Sequence, residues 1–148
     1  MDAGGADPFD AEHALAFVEH ASKALIDEKA IALAIAEGTT YQAVGSVTLH
    51  VWGPRHWNVG YWIAVSHRNR GLATEALKMV SRWAFEAHPA LARLSLYTLP
   101  GNEPSQKVAQ RAGFQREGLL RRWAEVGPEQ VDWAIYSLIR EDLDEDEG

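Results

Sequence analysis

Hydrophobic residues along the chain recur with two different periods. A period of two predicts strands with one buried face, and recurrence every three or four residues predicts helices. The alternating stretches are residues 46–51, 59–65, 94–98, 114–122 and 131–139, while residues 31–35 suit a short strand or the tail of a helix. The predicted helices run from Asp7-Pro8 to about residue 26, from Gly71 to Pro89, and from Asn102 to Ala112-Gly113.

The order of these elements predicts the fold class. A helix precedes three strands, and then a helix, a strand, a helix and two strands follow. Consecutive strands favour antiparallel pairing, whereas a strand–helix–strand crossover favours a parallel pair. We therefore expect an α/β fold, with a mixed and mostly antiparallel sheet and helices on both faces.

The helix that begins in "HRNRGLATEA", residues 67–76, opens with two arginines, an Asn and a Gly, whereas helices usually open with a capping residue and acidic side chains. Free backbone amides and the helix dipole at such an end attract an anion. Gly71 lets a bulky anion approach the backbone, and Asn69 can adopt the left-handed conformation of a tight loop. The sequence therefore predicts a phosphate site formed by Arg68, Arg70, Gly71, Ala73 and Thr74.

Composition narrows the classes of protein to consider. The 148 residues suit one domain, and a net charge of −7 argues against a general nucleic-acid binder. No apolar run is long enough for a membrane span, and the acidic start is unlike a secretory signal, so we expect a cytoplasmic protein. The chain has no cysteine, and its histidines lack metal-ligand spacing, so we predict no metal. Residues 1–6 and 143–148 are predicted to be disordered tails.

Residues 68–73 lack the glycines of a dinucleotide fingerprint and the Gly-Lys-Ser/Thr of a Walker loop. Arg68-x-x-Gly71-x-Ala73 instead resembles the GNAT acetyltransferase signature [Gln/Arg]-x-x-Gly-x-[Gly/Ala]. Residues 58–86, "LPGNEPSQKVAQRAGFQREGLLRRW" and "VDWAIYSLIRED" resemble successive segments of the RimJ/RimL-like branch, which includes ribosomal-protein alanine acetyltransferases. The resemblance extends over residues 7–142 and implies a single GNAT domain.

The resemblance implies acetyl-CoA as co-substrate and a primary amine as acceptor, either a protein N-terminus or a small molecule. In the family, pantetheine inserts beside a splayed strand and the signature loop holds the pyrophosphate. Asn contacts the CoA arm, and Ser lies near the sulfur as a candidate proton donor. The implied binding residues are Ile63, Ala64, Val65, Arg68, Arg70, Gly71, Leu72, Ala73, Thr74, Asn102 and Ser105.

Direct attack requires a neutral amine, and therefore a group that accepts its proton. Glu125 is the candidate base, although a solvated hairpin charge explains it equally well. Glu117 suits a structural salt bridge as well as a catalytic role, and the three isolated histidines His50, His56 and His67 suit surface or turn positions. Trp62 and Trp83 are predicted to be core residues, whereas Trp52, Trp57, Trp123 and Trp133 either line an acceptor groove or belong to the core.

Two departures from the family leave alternatives open. The first strand and helix of the family are not recognisable before residue 7, which suggests a truncated chain or a sheet edge covered by another segment. The protein is then a monomer or a homodimer. A GNAT-like module that binds CoA without catalysis, or an enzyme that transfers another acyl group such as succinyl, remains the alternative to acetyl transfer.

Overall fold

The computed structural model describes residues 29–36 and 42–145. The predicted N-terminal helix and the tail at residues 1–6 lie outside the described residues. Six strands form one sheet in the order β1-β2-β3-β4-β6-β5. The elements are β1 (Ala30–Ala36), β2 (Ala43–Val51), β3 (His56–Ile63), a 3-10 turn (Val65–His67), α1 (Leu72–Ala87), β4 (Arg93–Thr98), α2 (Glu103–Arg111), β5 (Gln115–Val126), β6 (Glu129–Ile139) and α3 (Arg140–Glu145).

The sheet is mixed, and β3 and β4 are its only parallel neighbours among the described residues. Helix α1 connects these two strands, as a parallel crossover requires. The predicted α/β class and the mixed, mostly antiparallel sheet are therefore confirmed. The helices were predicted on both faces, whereas α1 and α2 pack on the same face. The open choice at residues 31–35 resolves as a strand, since β1 pairs with β2 along its whole length.

Strand alternation gives the sheet two different faces. One face carries the apolar alternating residues of β2, β3, β4 and β6, which pack with α1 and α2 into the core. Leu49, Leu94 and Tyr136 are fully buried there. Burying such side chains is the main favourable contribution to folding. We call this side the helix face and the other side the opposite face.

Arg140, the first residue of α3, secures the end of α1. Its guanidinium donates to the carbonyl oxygens of Phe85, Pro89 and Leu91 at 2.8–3.1 Å. A cation is favourable there because the last carbonyls of a helix lack intrahelical partners. These hydrogen bonds hold the start of α3 against the end of α1.

Two sequence predictions need correction here. Residues 143–145 belong to α3, and Leu143 packs against the core, so these three residues are not the disordered tail that was predicted for 143–148. Trp83 is 43% exposed rather than buried, because it lies on the outer side of α1 and makes an edge contact with His88.

Candidate functional site

The parallel pair of β3 and β4 separates after three residues. Their register runs from His56 beside Arg93 to Asn58 beside Ser95. Beyond that point β3 continues to Ile63 along β2, and β4 continues to Thr98 along β6. The two strands therefore diverge and leave a gap in the middle of the sheet, which we call the split.

Alternate residues of β3 direct their backbone groups into the split. Ala64 N–H donates to Val44 O at 2.8 Å, so Ala64 faces β2 rather than the split. Because backbone direction alternates along a strand, the peptide groups of Val59, Tyr61 and Ile63 face the split instead. The Ala64 N–H therefore does not face the split, whereas Val59 and Tyr61, which were not predicted from the sequence as binding positions, do face it.

The loop after β3 presents the N-terminus of α1 at the open end of the split. Asn69 has φ 64° and Gly71 has φ 76°, so both adopt the left-handed conformation. The sequence prediction for Asn69 is confirmed, and Gly71 is the N-cap residue, one position before the helix begins. Gly71 provides no capping side chain, so the amides of Leu72, Ala73 and Thr74 have no intrahelical acceptor.

The space over Gly71 is open. A Cβ added to this residue would meet no atom within 4 Å. Arg68 folds back on the loop, and its Nε donates to Ile63 O at 3.0 Å, which fixes the loop against the end of β3. The arrangement combines free amides, a helix dipole and an adjacent guanidinium, which together suit a phosphate group.

Helix α2 contributes a second N-terminus on the helix face. Asn102 Oδ1 accepts from Ser105 N–H at 3.2 Å, so Asn102 caps the helix. Ser105 Oγ lies 3.1 Å from the hydroxyl of Tyr61 on β3. Burial raises the pKa of Tyr61, so this hydroxyl stays protonated at neutral pH and can donate. Sequence alternation placed Tyr61 in the core, and nothing local in the sequence indicated its polar contact.

A polar network occupies the opposite face at the closed end of the split. Ser95 Oγ lies 2.7 Å from His56 Nε2 and accepts from Arg93 Nε at 3.0 Å. Arg93 Nη2 lies 2.6 Å from Glu117 Oε1. The interpretation of His56 as an isolated histidine is therefore wrong, because strand pairing brings it to a residue 39 positions away. For Glu117 the structure shows the salt bridge that the sequence left as an alternative.

Two pKa values in this network are lowered, for different reasons. The hydrogen bond from Arg93 is the main cause for Glu117, and a hydrogen bond with Ser137 adds to it. Burial is the main cause for His56, and the charge of Arg93 adds to it. Consequently Glu117 is ionised and the His56 imidazole is neutral at pH 7.

Three aromatic rings lie beside this network. Trp52 contacts His56 edge-on, with ring centroids 5.1 Å apart, and Tyr97 at 6.0 Å. Tyr97 in turn stacks with Trp123 at 6.4 Å and an interplanar angle of 18°. We call Trp52, Tyr97 and Trp123 the aromatic row. Of the other tryptophans, Trp57 is a core residue and Trp133 is half-buried.

Glu125 is not brought to the split. It pairs with Gln130 near the tip of the β5–β6 hairpin, four residues along β6 from Ala134, which pairs with the end of β4. At about 3.3 Å per residue that separation is roughly 13 Å. The structure therefore places the predicted base near the tip of the β5–β6 hairpin.

A cleft of about 570 Å³ opens beside the N-terminus of α2. It is lined by the loop after β4 and the start of β6, namely Leu99, Pro100, Gly101, Asn102, Gln130, Val131 and Asp132. The residues 29–36 and 42–145 contain no group of three or more His, Cys, Asp or Glu side chains arranged to hold a metal ion. No helix within these ranges is long and apolar enough to cross a membrane.

The chain is similar in sequence to a family of acetyltransferases and to several of its members. Residues 1–115 match the family model of the acetyltransferase (GNAT) domain. The chain is 25% identical to the uncharacterized N-acetyltransferase YoaA of Bacillus subtilis over 131 residues, which are 87% of this chain and 73% of that protein. It is 34% identical over 98 residues to the putative ribosomal N-acetyltransferase YdaF of the same organism, which are 65% of this chain but only 53% of YdaF.

Solved structures show the same fold. The Mycobacterium smegmatis RimJ structure, in complex with CoA-disulfide, superposes with a TM-score of 0.77 at 26% identity, covering 95% of this chain and 68% of that one. A putative ribosomal-protein-serine acetyltransferase from Vibrio cholerae gives a TM-score of 0.77 at 28% identity, covering 91% and 78%. With the split, the uncapped helix and the family match in agreement, the chain belongs to the GNAT acetyltransferase family.

Proposed function

We propose that this protein is an N-acetyltransferase that moves the acetyl group of acetyl-CoA to a primary amine by direct attack. The observation that carries the proposal is the split in the sheet, which opens towards the uncapped N-terminus of α1. Support also comes from the similar Mycobacterium smegmatis RimJ structure, which is a complex with CoA-disulfide.

The pyrophosphate of CoA fits over Gly71, where free amides and open space coincide. We assign its binding to the backbone of residues 70–74, with positive charge from Arg68 and Arg70. Pantetheine then extends into the split, where it hydrogen-bonds the peptide groups of Val59, Tyr61 and Ile63 in place of the missing strand. Asn102, which caps α2, lies where it can also contact the CoA arm.

The reaction forms a bond between the amine nitrogen and the carbonyl carbon of the thioester and breaks the bond from that carbon to sulfur. Negative charge develops on the carbonyl oxygen and is stabilised by a backbone N–H in the split. The leaving thiolate takes a proton from Ser105, whose hydroxyl is hydrogen-bonded to Tyr61. Burial keeps Tyr61 protonated, so the pair retains a proton to donate at neutral pH.

The amine must lose a proton, and Glu125 and His56 are the two candidates to accept it. We place this role at His56 because it lies at the closed end of the split and is neutral at pH 7. When Nε2 carries the imidazole proton and donates to Ser95, Nδ1 keeps a lone pair. In this assignment His56→Gln lowers kcat and alters its pH profile, whereas Glu125→Gln leaves both unchanged. The reverse result assigns the proton to Glu125.

For the acceptor, we propose a protein N-terminus or a small-molecule amine. The similar protein YdaF is described as a putative ribosomal N-acetyltransferase, and the Vibrio cholerae protein as a putative ribosomal-protein-serine acetyltransferase. We assign acetyl as the transferred group because the family model is that of an acetyltransferase domain. Comparing rates with acetyl-CoA and succinyl-CoA tests that assignment.

The decisive experiment is calorimetric titration of CoA into the protein and two matched glycine variants. Gly71→Asp puts a carboxylate where the phosphate fits, and Gly127→Asp makes the same change at another positive-φ glycine with open space around it. We expect micromolar binding that Gly71→Asp abolishes and Gly127→Asp leaves intact. Equal affinity in all three proteins contradicts the assignment. Binding without turnover on any amine favours a CoA-binding module instead.

A further inference from the structure

Two exposed tryptophans lie on the opposite face of the sheet, beside the split. Trp52 is 54% exposed and Trp123 is 61% exposed, and Tyr97 lies half-buried between them. Large aromatic side chains are normally buried or used in recognition, so two tryptophans this exposed on one surface need an explanation.

The position of Trp123 depends on an irregularity in β5. The register of β5 and β6 shifts between Leu120 and Ala124, and Arg122 within this bulge has φ 49°. The N–H of Arg122 donates to Asp132 Oδ1 at 2.8 Å, which holds the unfavourable conformation. Bulges of this kind redirect side chains, and a left-handed non-glycine residue is costly unless it has a use. Here the bulge brings Trp123 onto Tyr97.

The aromatic row lies on the side from which an acceptor must approach. Tyr97 is two residues beyond Ser95, the last β4 residue that pairs with β3, so it lies at the split itself. The helix face carries Gly71, Ser105 and helices α1 and α2. CoA therefore enters the split from that side. An amine that attacks a carbonyl carbon held in the split comes from the opposite face.

Charge does not provide the recognition at this surface. Arg93 and Glu117 neutralise each other in a salt bridge beneath the row. Asn58 Oδ1, at the end of the β3–β4 pairing, is buried and has no hydrogen-bond partner in the described part of the chain. A ligand that donates one hydrogen bond to Asn58 Oδ1 and stacks a flat ring on the aromatic row would account for both the unpaired oxygen and the exposed rings.

We infer that the aromatic row is the acceptor-binding surface and that the acceptor is a primary amine carrying a flat aromatic or heteroaromatic ring. The ring stacks on Trp123 and Tyr97, and the amine reaches the split beside Asn58. This inference rests on the proposed acetyltransferase function and specifies its substrate class.

Two primary amines test the inference by calorimetry: tryptamine, which has a flat ring, and n-hexylamine, which is apolar but has none. Each is titrated into the full chain saturated with CoA, and again without CoA so that the result does not depend on the carrier. We expect tryptamine to bind the wild type about tenfold more tightly, within the range that one aromatic stack contributes. Trp123→Leu and Trp52→Leu should each remove most of this preference.

Trp83→Leu is the matched control, since Trp83 is 43% exposed on α1 and far from the row in the fold. It should keep the preference for tryptamine. Equal binding of the two amines to the wild type overturns the inference, as does an undiminished preference in Trp123→Leu with its fold intact by circular dichroism. Acetylation of a ring-free N-terminal peptide by the wild type at a kcat/KM equal to or above that of tryptamine also overturns it. Each of these results leaves CoA binding intact, whereas failure of the proposed function is recognised by loss of CoA binding.

Discussion

The two faces of the sheet differ in what their side chains contact. The helix face is closed by α1 and α2, and its apolar side chains are buried almost completely. The opposite face carries a chain of polar contacts from His56 to Glu117 and the partly exposed aromatic row. The first arrangement buries apolar side chains, whereas the second combines buried polar side chains such as Ser95 with partly exposed aromatic rings.

This division explains why the split can exist. A gap between two central strands leaves backbone groups unpaired, which is unfavourable unless a ligand or water satisfies them. The helix face is well packed on both sides of the gap, so the sheet tolerates it. The split then connects the helix face, which holds CoA, to the opposite face, from which the amine approaches.

The largest expected effect is on stability and separates the two faces directly. Leu94→Ala, on the helix face, should lower the free energy of unfolding by about 3 kcal/mol because it leaves a cavity in a closed core. Trp123→Ala removes more atoms from the opposite face but should cost under about 1 kcal/mol, since Trp123 is mostly exposed. Urea denaturation measures both. A larger loss for Trp123→Ala contradicts the division between the faces.

A smaller effect, on activity alone, should follow from filling the opposite face at the split. A Cβ added to Gly60 meets no atom within 4 Å, so Gly60→Val folds normally but occupies space that the amine needs. We expect kcat/KM to fall about 100-fold with CoA affinity unchanged, since small misplacements of reacting groups have effects of that size. Gly118→Val is the control in β5, where the space is also open. Normal turnover by Gly60→Val means that the amine arrives by another route.

Local sequence features predicted most of the fold and about half of the candidate site. Periodicity located five strands within a few residues, and the capping pattern located the start of α2 at Asn102. Asn69 and Gly71 were predictable because left-handed positions favour these residue types. Each of these predictions was possible because the feature is determined by residues close together in the sequence.

The remainder depends on tertiary pairing. The direction of the Ala64 amide follows from its bond to Val44, and a shift of one residue reverses every assignment in the split. The contacts of Tyr61 with Ser105 and of His56 with Ser95 join residues 44 and 39 positions apart. Alternation correctly gave Tyr61 a buried face, but it could not show which hydroxyl that face would meet.

On the helix face, Tyr61→Phe should reduce kcat about tenfold. This is less than the roughly 100-fold that a directly positioned acid contributes, because Ser105 keeps the hydroxyl from which the thiolate takes its proton. The hydroxyl is lost while the ring continues to fill its half-buried position, so stability should change little. Tyr136→Phe is the matched control, because Tyr136 is also on this face and its hydroxyl donates to Gln106 at 3.4 Å. Stopped-flow measurement of thiol release compares them. Equal effects of the two substitutions would show that Tyr61 only maintains packing.

The smallest expected effect concerns the salt bridge on the opposite face. Glu117→Gln should lower the free energy of unfolding at pH 7 by less than about 1 kcal/mol, because both partners are partly exposed to solvent. The pKa of Glu117 is lowered in the folded protein, so its contribution is complete above the ordinary glutamate pKa and disappears as pH falls through the lowered value. The difference between wild type and variant should therefore close in acid.

His56 adds a second pH-dependent change to the free energy of unfolding. Because burial lowers the pKa of His56, the unfolded chain binds its proton more readily, and stability falls as pH drops below about 6.5. Both proteins should show that decrease, whereas only the wild type should show the loss from Glu117 at lower pH. Urea titrations at pH 7, 6, 5 and 4, with Glu125→Gln as the unpaired control, separate the two. A constant difference at every pH would mean that Glu117 acts through packing rather than charge, and the polar network would then be a structural feature of the opposite face.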